Sequence, residues 1–176
     1  MPRFFPDAPR TADASSWRRR LVAWLPALVG IVVICIESTG TFSAANTSSW
    51  LRPIFERIFG PFQNANWEVL HHYIRKTGHF LGYGSLGLAF LRAWLYTLER
   101  HRSVQGWRLR ATAFAVASTA LIAAGDEFHQ SFLQSRTGVP SDVVLDTCGA
   151  FALCLLVWLV RFRGAPQPIE PLPSDA

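Results

Sequence analysis

Charge is scarce in this chain, and most of it is arginine. Only 16% of the 176 residues are Asp, Glu, Lys or Arg, against 50% hydrophobic, a balance too apolar for an ordinary water-soluble domain. The only lysine is Lys76, beside sixteen arginines. Cysteine is as sparse: Cys35, Cys148 and Cys154 all fall in apolar runs, with neither a CxxC nor a Cys/His spacing. A disulfide framework and a structural zinc are therefore not indicated, and the three read as small core residues. No phosphatase, rhomboid or zincin signature is present, and the glycines of Gly82–Gly87 match a nucleotide-binding loop only in part, with no preceding strand. No cofactor or metal is expected. The net charge of +5 does not indicate nucleic acid, because the arginines flank apolar runs and no basic patch interleaved with aromatics lies on a soluble segment.

The chain has apolar runs of membrane length instead. Residues 1–20 form a basic tail with Pro2, Pro6 and Pro9, ending in Arg18, Arg19 and Arg20. Residues 21–42 follow, and about 22 helical residues rise about 33 Å, enough for a hydrocarbon core of roughly 30 Å. A cleaved signal peptide competes with this reading, but the run exceeds a typical h-region and no A-x-A site closes it. Further runs lie at about 78–98, 111–133 and 141–160. The fold class expected is all-α: a polytopic membrane bundle of four transmembrane helices within residues 21–163, with an amphipathic interfacial helix. The Pro-rich tail 164–176 reads as disordered.

The longest connection, 43–77, repeats Trp50, Leu51, Ile54, Phe55, Ile58 and Phe59 at helical spacing, with Arg52, Glu56 and Arg57 opposite. Such a helix either lies in the membrane interface or packs on the bundle, and both readings are open. Gly60 and Pro61 break it, and a second helical stretch from about Asn66 leads into the second span. His71, His72 and His101 read as solvated loop residues. Arg92, late in the second span, is expected to snorkel to the headgroups. Eleven Lys and Arg flank the two termini and the 99–110 loop, and five lie in the other two connections, which places both termini in the cytoplasm.

Ionisable groups inside apolar runs cost roughly 3 kcal/mol or more each, so they persist where they face one another or do work. Here they gather at one end. Lys76, His79 and Tyr83 sit at i, i+3 and i+7; Asp126 and Gln130 at i and i+4; Asp142, Asp146 and Gly149 at i, i+4 and i+7. Glu37 is a candidate fourth contributor. Gly78, Gly82, Gly84 and Gly87 allow close helix approach, and Gly149 is expected to let the third and fourth spans pack closely.

The stretch RKTGHFLGY, with Arg75, Lys76, His79, Phe80 and Tyr83, and then DEFHQ followed by Arg136, Asp142 and Gly149, resembles the VanZ-like family of bacterial membrane proteins. Gly82 stands where that family often has Glu, and Asp146 where it usually has Asn. The resemblance implies a multi-pass protein of the bacterial inner membrane, in a family named for a member linked to low-level resistance to the glycopeptide teicoplanin. Physical argument then supplies several readings. In an enzyme, Glu127 or Asp126 acts as general base with His79 or His129 as acid partner, while Lys76 and Arg136 hold an anionic group such as a lipid phosphate. Tyr83, Gln130, Asp142 and Asp146 complete the substrate contacts. The same groups equally suit a binding protein for a lipid head or antibiotic, a proton-coupled transporter if the chain forms a homo-oligomer, or an ion-pair network that fixes one helix arrangement. Expected partners are membrane lipids and a lipid-linked envelope substrate or glycopeptide antibiotic.

Overall fold

The computed structural model describes residues 15–101, 106–134 and 138–161, and all regular structure in them is helical. Five α-helices follow in order: α1 (Ser15–Glu37), α2 (Ala44–Phe59), α3 (Asn64–Thr97), α4 (Trp107–Gln130) and α5 (Pro140–Arg161). Both tails expected from the sequence lie mainly outside the described residues, and Arg136 lies wholly outside them.

The pillar of the bundle is α3, which packs against α1, α4 and α5. Its core-facing Tyr83, Leu86, Phe90 and Leu91 are buried with Ala27 of α1, Ala111, Ala115 and Ala123 of α4, and Cys154 of α5. Alanines on the flanking helices let the larger side chains of α3 fill the space between the axes. At one end Trp24 of α1 donates from Nε1 to Thr97 Oγ1 at 3.0 Å. At the other, Ser38, just after α1, hydrogen-bonds His129 near the end of α4 at 3.1 Å. Helices α1 and α4 therefore run antiparallel to α3, while Lys76 with Asp142 and His79 with Asp146 show that α5 runs parallel to it.

The glycines of α3 divide between two faces. A Cβ on Gly84 would stand 2.7 Å from Leu153, and one on Gly87 would stand 2.8 Å from the Ala150 side chain, so these two mark the α3–α5 seam. Gly149 answers them from α5, where a Cβ would collide with the Phe80 carbonyl oxygen. The close approach of Gly149 is thus to the second expected span, not the third. Gly78 and Gly82 have nothing within 4 Å of the same position and border open space instead.

Arg92 corrects another expectation. It is 8% exposed, and its Nη1 donates to the Val22 carbonyl at 3.0 Å and the Ala23 carbonyl at 2.7 Å on α1. Pro26 lies four residues beyond Val22 and has no N–H to give that carbonyl. The guanidinium takes the missing donor's place, which is why it stays inside rather than extending to headgroups.

Several boundaries differ from the sequence reading. Helix α1 stops at Glu37 because Thr39 turns its hydroxyl back to the Ile36 carbonyl at 2.7 Å and a 3-10 turn, Gly40–Phe42, follows. Helix α3 is a continuous 34 residues, so the stretch before the second run and the run itself are one helix, about 51 Å long. Two helices are long and apolar enough to cross a membrane on those grounds, Trp17–Glu37 and Pro140–Arg161. Helices α3 and α4 have the length but carry the polar residues of the cluster. Of the cysteines, Cys154 is buried as expected, whereas Cys35 and Cys148 are exposed on the bundle's outer face.

The tight α3–α5 seam yields a stability prediction. Gly149→Ala should destabilise the fold by about 1–3 kcal/mol, since backbone must move to admit the methyl. Gly125→Ala, on α4 with open space around its Cβ position, should be neutral or stabilising. Thermal unfolding of the two variants in detergent checks this; equal melting temperatures would contradict it.

Candidate functional site

The polar side chains singled out from the sequence, Arg136 aside, meet at the end of the bundle where α3, α4 and α5 come together. Lys76 is ion-paired with Asp142 Oδ1. Asp142 lies in the first turn of α5, two residues after Pro140, whose fixed φ suits a first helical position, and a carboxylate there also complements the helix dipole. One turn deeper, His79 Nδ1 is 3.6 Å from Asp146 Oδ2, an ion-pair distance too long for a hydrogen bond. Asp146 is fully enclosed, and neither it nor His79 Nδ1 has a hydrogen-bond partner among the described residues. Each is the other's nearest electrostatic complement. Tyr83 donates its hydroxyl to Asp126 Oδ2 at 2.9 Å, and Gln130 donates its amide to the same oxygen at 2.8 Å. The Tyr83 ring stacks on His79 with centroids 6.2 Å apart, so imidazole, phenol and carboxylate form one continuous group.

Glu127 is separate in role. It is 6% exposed, and Oε2 accepts the backbone N–H of Val139 at 2.7 Å, fastening the end of α4 to the residue before α5. Gly138 lies so close to the Glu127 carbonyl that no side chain fits there. Of the adjacent acids, Asp126 is turned toward open space and Glu127 toward the backbone. The sequence could not separate them, because neighbours on a helix differ by about 100° in direction and nothing local says which direction is the interior.

The open space is a cleft of about 740 Å³ between α1 and α3, roofed by α2. His79, Tyr83, Asp126 and Gln130 form its polar wall, with Glu37, Ser38 and Arg75 nearer the outer rim. Deeper, the lining becomes apolar: Pro26, Val29, Val33 and Ile34 from α1, Leu86 and Ala89 from α3. Gly30, Gly78 and Gly82 leave it wide. Lys76, Asp142 and Asp146 do not border it. The residues expected to bind substrate thus divide: Tyr83 and Gln130 line the cleft, whereas Asp142 and Asp146 stand behind its wall.

Helix α2 closes the rim through contacts that the sequence reading missed. Thr47 hydrogen-bonds His71 Nε2 at 3.1 Å, Trp67 donates to Ser48 at 2.7 Å, and Arg75 Nη1 donates to the Phe42 carbonyl at 3.0 Å. His71 is not a solvated loop residue: it is 6% exposed and stacked on Trp67 with ring centroids 5.5 Å apart. The available signal was its spacing, since Trp67, His71 and Arg75 repeat every four residues on one face of α3. The apolar stripe of α2 divides between the two readings left open: Phe55 packs on Trp67 and Leu51 on the cleft, while Trp50, Ile54, Ile58 and Phe59 remain exposed.

An all-helical bundle, with two helices of membrane-spanning length and composition and a buried polar cluster beside an apolar cleft, defines the class: a helical membrane protein with an internal polar site. The family follows from the comparison of sequences. The chain belongs to the VanZ/LLP1 family, whose model matches residues 21–161, from the second turn of α1 to the end of α5. It matches no curated protein and no solved structure.

Two predictions follow from the local chemistry. Glu127→Ala should lower stability by about 1–3 kcal/mol by leaving the Val139 N–H unpaired. Glu127→Gln, which keeps an accepting oxygen, should stay near the parent in the same thermal unfolding measurement. Burial, with the Arg75 charge adding to it, holds His71 below its ordinary imidazole value of 6.5. The folded protein therefore binds fewer protons than the unfolded chain near that value, so stability from the neutral His71 is present above it and lost as pH falls through it. Acidification should lower the melting temperature of the parent more than that of His71→Gln.

Proposed function

We propose that the protein is a four-span protein of the bacterial inner membrane, with α1, α3, α4 and α5 crossing the bilayer, both termini cytoplasmic and α2 in the outer interface. Its outward-facing site recognises a lipid-linked envelope component. The observation that carries this reading is the continuity of the polar wall with a membrane-depth apolar cleft. A ligand with a polar head and a hydrocarbon tail matches that lining along its whole length, and the cleft's volume falls within the roughly 300–1,000 Å³ of ordinary ligand pockets. The charge pattern of the flanks supports the orientation.

The division within the cluster refines the chemistry. Lys76 is committed to Asp142 and Glu127 to the Val139 backbone, so these serve to hold α5 in place. Asp126 and His79 face the ligand space. A carboxylate and an imidazole on one wall of a largely apolar cleft make a general base and general acid pair, which favours a second reading in which the bound component is also modified. In that reading Asp126, rather than Glu127, is the base, and Tyr83 and Gln130 orient it through their bonds to Oδ2.

Asp126→Asn keeps the shape of the site and removes the charge. Mass spectrometry of envelope lipids and wall precursors, from cells expressing the parent or this variant at matched levels, should show a species altered by the parent and lost or reduced about tenfold or more with the variant, the lower range for removing one acid–base group. Identical profiles would set modification aside. Loss of a lipid that co-purifies with the parent would then report on recognition alone.

A further inference from the structure

The cleft carries more information than its volume, because its lining changes character in a fixed order with depth. From Glu37 at the rim to Pro26 at the floor, α1 contributes eleven residues of rise, about 16 Å. One leaflet of a hydrocarbon core roughly 30 Å thick is about 15 Å deep. The apolar part, between Val29, Val33, Leu86 and Ala89, is therefore no deeper than one leaflet, and it is the part furthest from the rim. Directly above it comes an acceptor: among the described residues Asp126 receives its hydrogen bonds at Oδ2, which leaves Oδ1 for a ligand. The imidazole of His79 stands beside it with Nδ1 turned to Asp146, which leaves Nε2 on the cleft side. Among the described residues the guanidinium that borders the cleft is that of Arg75 at the rim, eight residues or about 12 Å further along α3 from Tyr83 and one turn beyond His79.

This order distinguishes between classes of lipid. In a polyprenyl phosphate the anionic group follows the hydrocarbon chain directly, which would set a phosphate against the Asp126 carboxylate at a depth where, among the described residues, the cation-forming group is the His79 imidazole, already matched by Asp146. In a glycerol-type lipid a neutral junction bearing hydroxyls follows the chain, and any anionic group lies further out. The hydroxyl is the donor that Asp126 Oδ1 can accept from, with the His79 imidazole beside it, and an outer anionic group would come level with Arg75. We propose that the α1–α3 cleft binds a leaflet lipid with a glycerol-type, hydroxyl-bearing junction, the hydroxyl donated to Asp126 and the chain laid between α1 and α3. The assignment rests on the outward-facing lipid site proposed above and names the ligand's class within it.

The test uses the purified full-length protein in nanodiscs and a monoacylglycerol carrying a photoactivatable diazirine in its chain. Labelling should map by mass spectrometry to α1 and α3 at the depth of Val29–Val33 and Leu86–Ala89. Gly82→Leu adds bulk to the cleft from a position where an added Cβ meets nothing within 4 Å, and replaces glycine with a better helix former, so folding should hold while labelling falls about tenfold. Gly125→Leu, equally open but outside the cleft, should label like the parent. Asp126→Asn should weaken competition by unlabelled monoacylglycerol about tenfold, by loss of the charged acceptor. A polyprenyl phosphate should compete at least tenfold less well than monoacylglycerol. Unchanged labelling in a folded Gly82→Leu protein, or labelling confined to the outer faces of α4 and α5, would overturn the cleft as the site. Stronger competition by the polyprenyl phosphate would overturn the assignment of the lipid class while leaving the lipid-site reading intact. The two proposals fail separately: if Asp126→Asn changes the envelope-lipid profile of cells but Gly82→Leu does not, the functional site stands and the cleft assignment falls.

Discussion

The close approach of α3 and α5 at Gly149 is the constraint on which the site depends. With no side chain on Gly149, the Phe80 carbonyl comes against the α5 backbone, and Gly84 and Gly87 let Leu153 and Ala150 settle onto α3. Helices this close have one register. That register brings Asp142 to Lys76 and Asp146 to His79, although 66 residues separate the first pair in sequence. A larger residue in the seam would move α5 outward and pull the carboxylates from their partners. Buried charges left without partners would then add their own cost to the lost packing. Steric fit and electrostatic pairing therefore reinforce one another.

The bundle meets the cost of burying polar groups by pairing most of them internally, and it does so at two depths. At the end where α4 meets α5, Lys76 with Asp142, Asp126 with Tyr83 and Gln130, and Glu127 with the Val139 N–H account for most of the cluster. Near the other end, Arg92 supplies to α1 the donor that Pro26 withholds. Between these two polar girdles the core is alanine, leucine and aromatic. The enclosed Asp146 is the exception, since among the described residues only the His79 imidazole complements it. It stands behind His79 and does not border the cleft.

Membership of the VanZ/LLP1 family and the placement of the polar cluster agree with the motif residues read from the sequence. Lys76, His79, Tyr83, Asp126, Gln130, Asp142 and Asp146 were legible because helical spacing puts each set on one face, and apolar surroundings make a charged face conspicuous. Arg92 and His71 misled for the same reason: a polar residue near a helix end has solvent as its default partner. Their actual partners, the Val22 carbonyl and Thr47, lie 70 and 24 residues away. The glycines of α3 carried a third ambiguity, since the same residue type serves contact at Gly84 and Gly87 and emptiness at Gly78 and Gly82.

By itself the sequence determined that the chain is helical, that its helices carry long apolar faces and that its charged residues form stripes at one end. Periodicity and the cost of burying charge are local properties, summed along each helix, and they need no knowledge of neighbours. Tertiary structure alone decided which of two adjacent acids faces the cleft, which glycines make a seam and which make a cavity, and that α5 lies against α3 through Gly149. Those outcomes depend on the angle at which each helix face meets another, and that angle follows from the fit of side chains drawn from distant parts of the chain.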